Sequence, residues 1–280
     1  MIHGPGMPPL IPERLFGIIG YPLRQSLSPA IHNQAFHHLG LPYVYCAWPL
    51  RPESVECFLH AMALLPISGC SVTIPHKQQV VAACSRLSVS ADRIGAVNTL
   101  YWEEGKLCGE NTDCLGFQAP LLELEACPGS AVILGTGGAA RACIVGLQEC
   151  GVRDISVAGR DLETLEGLRQ DFRIRTVVWE HRLDLSAEML VNCTPLGMVG
   201  PLIAESPYPG AALGRFRVVY DLVYNPLWTK LLVESREAGC CCISGLDMFV
   251  NQAAAQFRLW TGHHMPMGPA RRRIRKQLSP

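Results

Sequence analysis

The chain has no excess charge of either sign: 24 lysines and arginines stand against 24 aspartates and glutamates over 280 residues, with a pI of 7.1. A protein that lies along nucleic acid needs a stripe of cations to displace counterions from phosphates, so this balance argues against a polyanionic partner. Charged residues are few, 17% against 49% hydrophobic, which excludes a disordered chain. No two cysteines are spaced C-x-x-C, the total of 13 is odd, and most sit inside apolar runs, as do Cys46, Cys70, Cys143 and the run Cys240–Cys242. That pattern reads as buried thiols in a reducing compartment, rather than a disulfide framework or a zinc knuckle, and no metal is expected. Two uncharged stretches, Ala61–Pro75 and Met189–Ala204, are too short for a bilayer and are broken by proline and glycine. The opening MIHGPGMPPLIPERL has no positive region followed by an apolar run. A soluble cytoplasmic protein is expected.

Short β-branched runs alternate with longer amphipathic stretches almost from end to end, the pattern of α/β layers on mainly parallel sheets, and the length calls for two domains. In the first half, strands are predicted at Leu15–Ile19, Tyr43–Trp48 and Cys70–Ile74. A helix over Pro29–Leu39 has Ser28 as its expected N-cap and Gly40 past its end. A second helix covers Val55–Leu64 and another follows Pro75. Val97–Trp102 and Lys106–Cys108 flank Glu103-Glu104-Gly105 and read as a hairpin. A fresh series begins at Ala131–Leu134, with strands to follow at Ile155–Ala158, Val177–Trp179, Leu190–Cys193, Val218–Leu222 and Cys241–Ser244. A last helix runs from Leu246 to Trp260, and the basic run Arg271–Lys276 reads as a solvated helix end.

Between the strand Ala131–Leu134 and the helix that ends at Gly151 lies Gly135-Thr136-Gly137-Gly138-Ala139. Glycine in such a turn lets the backbone approach a pyrophosphate, whose charge meets free N–H groups and the positive end of the helix. Strand before and helix after is the context that separates a dinucleotide turn from an ordinary one. At the end of the next strand, an acidic residue would hold a ribose 2′-OH and an arginine a 2′-phosphate. Here Gly159-Arg160-Asp161 offers both. Arg160 suits a phosphate, while Asp161 also makes a good N-cap for a helix over Leu162–Gln170, so NADP is favoured and NAD stays open.

Four segments of the first half place polar residues at strand ends and helix starts: Ser26-Leu27-Ser28-Pro29, Ser71 to Lys77, Gly95 to Thr99 and Gly109 to Asp113. Side chains at such ends converge on one crevice. Together they offer hydroxyls, an amide, an ammonium and a carboxylate, a set suited to a small polyol acid. Taken singly, each has a plain structural use: Ser26 and Ser28 in a turn and cap, Thr73 in a strand, Asn98 in a turn, Asp113 as a cap, and Lys77 as a snorkelling surface lysine.

In this order the segments resemble shikimate dehydrogenase: SLSPAIHN, SVTIPHK, IGAVNTL, GENTDCLG, GTGGAAR, NCTPLGM, VYDLVYNPLWTKLL and GLDMFVNQAAAQFRLWTG. The resemblance covers nearly the whole chain. It implies two α/β domains with an active site in the cleft between them. Residues 1–112 plus 246–280 would form the substrate domain, and 113–245 a Rossmann-like NADP-binding domain. It also implies NADP-linked interconversion of 3-dehydroshikimate and shikimate, on the route to chorismate and the aromatic amino acids. Carried over residue by residue, it puts the substrate carboxylate on Ser26 and Ser28, and the ring hydroxyls on Thr73, Asn98, Asp113 and Gln252. Lys77 and Asp113 would be the catalytic pair. Tyr224 and the backbone at Gly245 would line the nicotinamide and substrate pocket. The cofactor would also meet the glycine turn, Gly159, Arg160, Asp161, Thr194, Leu222 and Met248, with Met198 on the same loop as Thr194.

The chemistry of the residues agrees, because hydride transfer to a carbonyl leaves an alkoxide that an ammonium must protonate. An adjacent carboxylate would orient that ammonium. In the last helix Leu246, Phe249, Val250, Ala253, Phe257 and Trp260 recur at helical spacing as the packed face, leaving Met248 and Gln252 on a neighbouring stripe. Two features depart from the family pattern. Asp161 stands where the usual cofactor stretch has threonine, and Phe249 replaces a smaller aliphatic residue. An NAD-preferring quinate/shikimate dehydrogenase and a non-catalytic nucleotide-sensing protein are the competing readings. The paired Ser26 and Ser28 favour shikimate over quinate, and Lys77 with Asp113 favours turnover. A monomer or homodimer, acting on a small molecule and not on nucleic acid or membrane, is expected.

Overall fold

The computed structural model describes residues 11–23 and 26–278, so residues 1–10 of the opening stretch lie outside the described residues. The described residues divide into two compact units, one that runs as far as Thr112 and takes in Ala253–Gln277, and one of Asp113–Gln252. In chain order the elements are β1 (Arg14–Gly20), α1 (Ser28–His38), β2 (Tyr43–Pro49), α2 (Val55–Leu64), β3 (Ile67–Val72), β4 (Arg86–Leu87), α3 (Val89–Ile94), β5 (Thr99–Glu103) and β6 (Lys106–Glu110). There follow α4 (Thr112–Leu121), β7 (Ser130–Leu134), α5 (Gly138–Glu149), β8 (Asp154–Gly159), α6 (Leu162–Phe172), β9 (Arg175–Val178), β10 (Met189–Asn192), β11 (Val218–Asp221), α7 (Lys230–Glu237), β12 (Cys241–Ser244), α8 (Gly245–Thr261) and α9 (Met267–Leu278).

The first unit is built on a mixed sheet in the order β2-β1-β3-β5-β6-β4. β1 runs parallel to both its neighbours, while β5 is antiparallel to β3 and β6. The β5–β6 hairpin closes on Glu104 and Gly105 alone, both at positive φ (51° and 74°), and Glu103 pairs with Lys106. Two residues in that conformation match the right-handed twist of the strands they join. Ile19, Val72, Cys70, Leu100 and Val97 form the buried middle of this sheet, joined by Val55 and Met62 of α2.

The second unit has an all-parallel sheet in the order β12-β11-β10-β7-β8-β9, the doubly wound arrangement whose order reverses between β7 and β10. Val132, Leu134, Leu190 and Val219 from its strands are fully buried, as strands covered on both faces require. On α8 the apolar stripe is buried as its spacing foretells: Leu246, Phe249, Val250, Ala253, Phe257 and Trp260 are all at most 8% exposed. In the cysteine run, Cys240 is buried, Cys241 exposed and Cys242 half-buried, the alternation of a strand.

Several elements differ from the sequence expectation. Ser28 is not an N-cap: Leu27 holds that place, its carbonyl accepting from Ile31 N at 3.1 Å, and Ser28 is the first helical residue, buried. The third strand spans Ile67–Val72 and stops before Thr73, because His76 N turns back onto Thr73 O at 3.0 Å and Pro75 has no N–H to continue a ladder. No α-helix follows Pro75. The Lys77 carbonyl is taken by Val97 N at 2.8 Å, which leaves only a short 3₁₀ turn over Gln79–Ala83. The short elements α3 and β4 have no counterpart in the sequence pattern. The basic run Arg271–Lys276 does form a solvated helix end, that of α9, with Arg272, Arg273, Arg275 and Lys276 exposed and the helix anchored by buried Ala270 and Ile274 one turn apart. Among the described residues no helix is long and apolar enough to cross a membrane, and no group of three or more histidines, cysteines or acidic residues is placed to hold a metal ion.

Candidate active site

In the first unit, β5 runs antiparallel to β3, so the ends of β1, β3 and β6 and the start of β5 meet at one edge of the sheet. Backbone hydrogen bonds stitch that edge together. Thr73 N donates to Ile19 O at 2.9 Å, Val72 N to Asn98 O at 2.8 Å, and Asn98 N to Glu110 O at 3.1 Å. With Val97 N donating to Lys77 O at 2.8 Å, the backbone of Thr73, Lys77 and Asn98, scattered in sequence, is brought to the same edge. Ser26 and Ser28 lie on the segment that leads from β1 into α1, where Ser26 Oγ accepts from Ser28 N at 3.4 Å.

Asn98 is buried and its amide is turned in one sense. Its Oδ1 accepts from the Thr99 hydroxyl at 2.7 Å and from Thr112 N at 2.8 Å, while Nδ2 donates to Thr112 Oγ1 at 3.0 Å. Those bonds also fix the start of α4, the helix that carries Asp113. The Asp113 side chain is 6% exposed. Glu110 serves the structure, its Oε1 accepting from the hydroxyls of Ser88 at 2.6 Å and Ser90 at 2.5 Å.

Beneath this edge lies a buried polar chain that sequence reasoning missed. Gln256, 2% exposed, donates through Nε2 to Thr99 Oγ1 at 2.9 Å and to Asn98 O at 3.2 Å, and its Oε1 accepts from Ser71 Oγ at 2.9 Å. The Tyr45 hydroxyl donates to Ser71 Oγ at 2.6 Å, and burial raises that phenol well above its usual range. His32 stacks on Tyr45 with centroids 4.5 Å apart, and burial pushes its imidazole down to about 3, so it is neutral. A signal was available: Gln256 stands at i+3 from Ala253 and i−4 from Trp260, a polar residue on an apolar stripe. Gln252, by contrast, is half-buried with its amide donating to Phe249 O at 2.9 Å.

In the second unit the glycine turn lies at the reversal of strand order. Gly135 N donates to Ala158 O at 2.9 Å and Cys193 N to Leu134 O at 2.8 Å. Gly135 takes a φ of +109°, open to glycine alone. Gly137 is the N-cap of α5 and brings no side-chain oxygen to the first helical N–H groups, and a Cβ built on it would meet nothing within 4 Å. A bare helix start of this kind, on a turn followed by half-buried Ala139, fits a pyrophosphate. Thr136 packs over Gly159, where a Cβ would come within 2.3 Å of its methyl group.

At the end of β8 the two cofactor signals separate. The Asp161 carboxylate caps α6, accepting from Thr164 N at 2.8 Å and from the Thr164 hydroxyl, and these hydrogen bonds hold its pKa below the usual value. The Arg160 side chain is exposed. Asp161 therefore has a structural employment, and Arg160 is the group that suits a 2′-phosphate.

The loops after β10 and β11 share one buried centre. Thr194 donates through its N and its hydroxyl to Asn192 Oδ1 at 2.9 and 2.7 Å. Leu222 N donates to Asn192 O at 3.0 Å. A Cβ on Gly245 would lie 2.3 Å from Leu222 O, so this close approach requires glycine. Tyr224 stacks on Phe249 with centroids 4.8 Å apart, an aromatic pair that the larger residue at 249 makes possible, and Met248 is buried beside it on α8.

Comparison with known proteins points to one family. Residues 18–100 match the model of the shikimate dehydrogenase substrate binding domain, and residues 245–277 that of the shikimate 5′-dehydrogenase C-terminal domain. The shikimate dehydrogenase (NADP+) of Pelobacter propionicus is 44% identical over 93% of this chain and 95% of its own length. Among solved structures, a shikimate dehydrogenase crystallised with NADP+ superposes with a TM-score of 0.88 at 33% identity, over 95% of this chain and 96% of its own. The Thermus thermophilus enzyme in complex with NADP(H) and shikimate gives 0.84 at 35% identity, over 94% and 99%. With relatives this similar along almost its full length, and with the glycine turn and the Ser26-to-Lys77 segments in place, the chain belongs to the shikimate dehydrogenase family.

Proposed function

We propose that this chain interconverts 3-dehydroshikimate and shikimate with NADP as its redox partner, with Lys77 and Asp113 as the acid–base pair. The observation that carries the reading is the assembly of Thr73, Lys77 and Asn98 at one sheet edge, in a chain that also holds a dinucleotide turn at its strand-order reversal. NADPH, when bound, supplies the hydride. In the reductive direction the Lys77 ammonium gives its proton to the substrate oxygen, and in the oxidative direction the neutral amine takes the hydroxyl proton. Asp113 orients the ammonium. Ser26 and Ser28 hold the carboxylate; Thr73, Asn98, Asp113 and Gln252 bind the hydroxyls. Tyr224, Leu222, Gly245, Met248 and Thr194 face the nicotinamide side, and the glycine turn and Gly159 carry the pyrophosphate and adenosine side. Residues 1–112 with the C-terminal helices make up the substrate domain in this reading, and the doubly wound unit binds the cofactor.

NADP is preferred over NAD because Asp161 is engaged as a cap while Arg160 is exposed beside it. Buried thiols such as Cys70, Cys108 and Cys143 suit a reducing, cytoplasmic setting, and the working species is a monomer or homodimer. Reduction of NADP and NAD with shikimate and with quinate, for wild type and Arg160→Ala, is the test. Shikimate with NADP is the fastest pair, and Arg160→Ala raises the NADP Michaelis constant while sparing NAD. Equal effects on both cofactors remove the 2′-phosphate contact, and faster turnover of quinate with NAD favours the quinate/shikimate alternative.

A further inference from the structure

The carboxylate of Asp221 is fully buried at the end of β11 and has no part in the reaction above. Its three hydrogen bonds come from three segments. Asn192, opposite it in register on β10, donates through Nδ2 to Oδ1 at 2.9 Å. Val223 N, on the loop that follows β11, donates to the same oxygen at 3.0 Å, and the hydroxyl of Thr229, the N-cap of α7, donates to Oδ2 at 2.6 Å. Asn192 in turn accepts from Thr194 N and the Thr194 hydroxyl, and Thr194 Oγ1 accepts from Leu196 N at 3.3 Å. One carboxylate and one amide thus shape both loops at this edge, residues 193–198 and 222–229. The carboxyl ends of the strands in a doubly wound sheet are where a dinucleotide lies.

Such a buried acid is costly. Among the described residues its partners are these neutral donors alone, with no cation, and burial raises it to about 6 in spite of them. A neutral apolar residue would avoid that cost, yet only a carboxylate offers enough lone pairs to gather donors from three segments on one side chain. We infer that Asp221 is a positioning residue which, through Asn192 and Thr229, holds the 193–198 and 222–229 loops in the shape that receives the nicotinamide half of the cofactor. This rests on the cofactor placement proposed above, with Thr194 and Leu222 on the nicotinamide side and Arg160 on the adenosine side.

The test compares two ligands by calorimetry on the full chain: NADP, and adenosine 2′,5′-bisphosphate, which lacks the nicotinamide half. Asp221→Asn and Thr229→Val each weaken NADP about tenfold, the loss expected for a hydrogen bond to a charged group, and leave the bisphosphate within about twofold. Thr229→Ser keeps the hydroxyl and binds both ligands as wild type does. Should Asp221→Asn unfold at the assay temperature, the Thr229→Val and Thr229→Ser pair carries the same comparison. Unchanged NADP affinity, or an equal loss for both ligands, overturns the role of Asp221. Arg160→Ala separates this from the underlying placement: it weakens the bisphosphate, and if it does not, the cofactor placement fails with it.

Discussion

Replacement of Gln256 by leucine removes the centre of the buried polar chain while conserving side-chain volume, so no large cavity confuses the result. Three hydrogen bonds disappear, to Ser71 Oγ, Thr99 Oγ1 and Asn98 O. Each buried bond contributes about 1 kcal/mol net, and a partner left unsatisfied in the core costs about 1–3 kcal/mol. The Tyr45 bond to Ser71 and the Thr99 bond to Asn98 survive, so the Ser71 and Thr99 hydroxyls each keep one partner. The total is therefore about 3–4 kcal/mol rather than the sum of full penalties. For a chain of this size that lowers Tm by about 6–16 °C. Urea unfolding at constant slope and scanning calorimetry are the assays, and Gln256→Glu is the companion variant, since it keeps the acceptor and loses the donor. Because Gln256 supports the backbone of Asn98, the Michaelis constant for shikimate rises while that for NADP holds. A loss below about 1 kcal/mol, the worth of a single bond, refutes the network as a stabilising unit.

Two buried titratable groups give stability slopes of opposite sign. His32 is held near 3 when folded against 6.5 when unfolded, so the unfolded chain binds the extra proton between those values and stability falls as pH drops below 6.5. Asp221 is held near 6 against 3.8, so the folded chain binds the extra proton and stability falls as pH rises from 3.8 through 6. Urea midpoints taken from pH 4 to 7 therefore change differently in two variants: relative to wild type, His32→Phe removes a rising component and Asp221→Asn a falling one, each up to about 1.4 kcal/mol per pH unit. Parallel curves for wild type and variant would remove the corresponding assignment. Gly245→Ala forces a methyl group against Leu222 O, at a cost of about 1–3 kcal/mol, and disturbs the 222–229 loop proposed to meet the cofactor. It raises the NADP Michaelis constant and lowers Tm; a variant indistinguishable from wild type contradicts the close approach.

Those parts of the fold where local chemistry and packing agree were legible in the sequence. Val55–Leu64 and Cys241–Ser244 have the boundaries read from their patterns, the hairpin turns on Glu104 and Gly105, and Asp161 caps the helix that follows it. What failed was decided by tertiary competition for backbone groups. The Lys77 carbonyl, engaged by Val97 N, is unavailable to a helix after Pro75, and a sequence pattern does not show that engagement. α3 is six residues long, too short for a periodic signal, although Ser88 accepts from Ala91 N and Gly95 closes it at φ +68°. In the candidate site, the hydroxyls, amide and ammonium proposed to meet substrate stood out in the sequence because they stand at element boundaries. Gln256 and Asp221 lie one layer behind, inside apolar runs, where a polar residue reveals its use only through the partners that the fold brings to it.

The catalytic role of Lys77 is the central claim, and Lys77→Ala with shikimate and NADP at saturating concentration tests it most directly. Removal of the acid–base group lowers kcat by about two to four orders of magnitude while the Michaelis constants for both ligands change far less. A variant that turns over at the wild-type rate, or one that loses only affinity, contradicts the account.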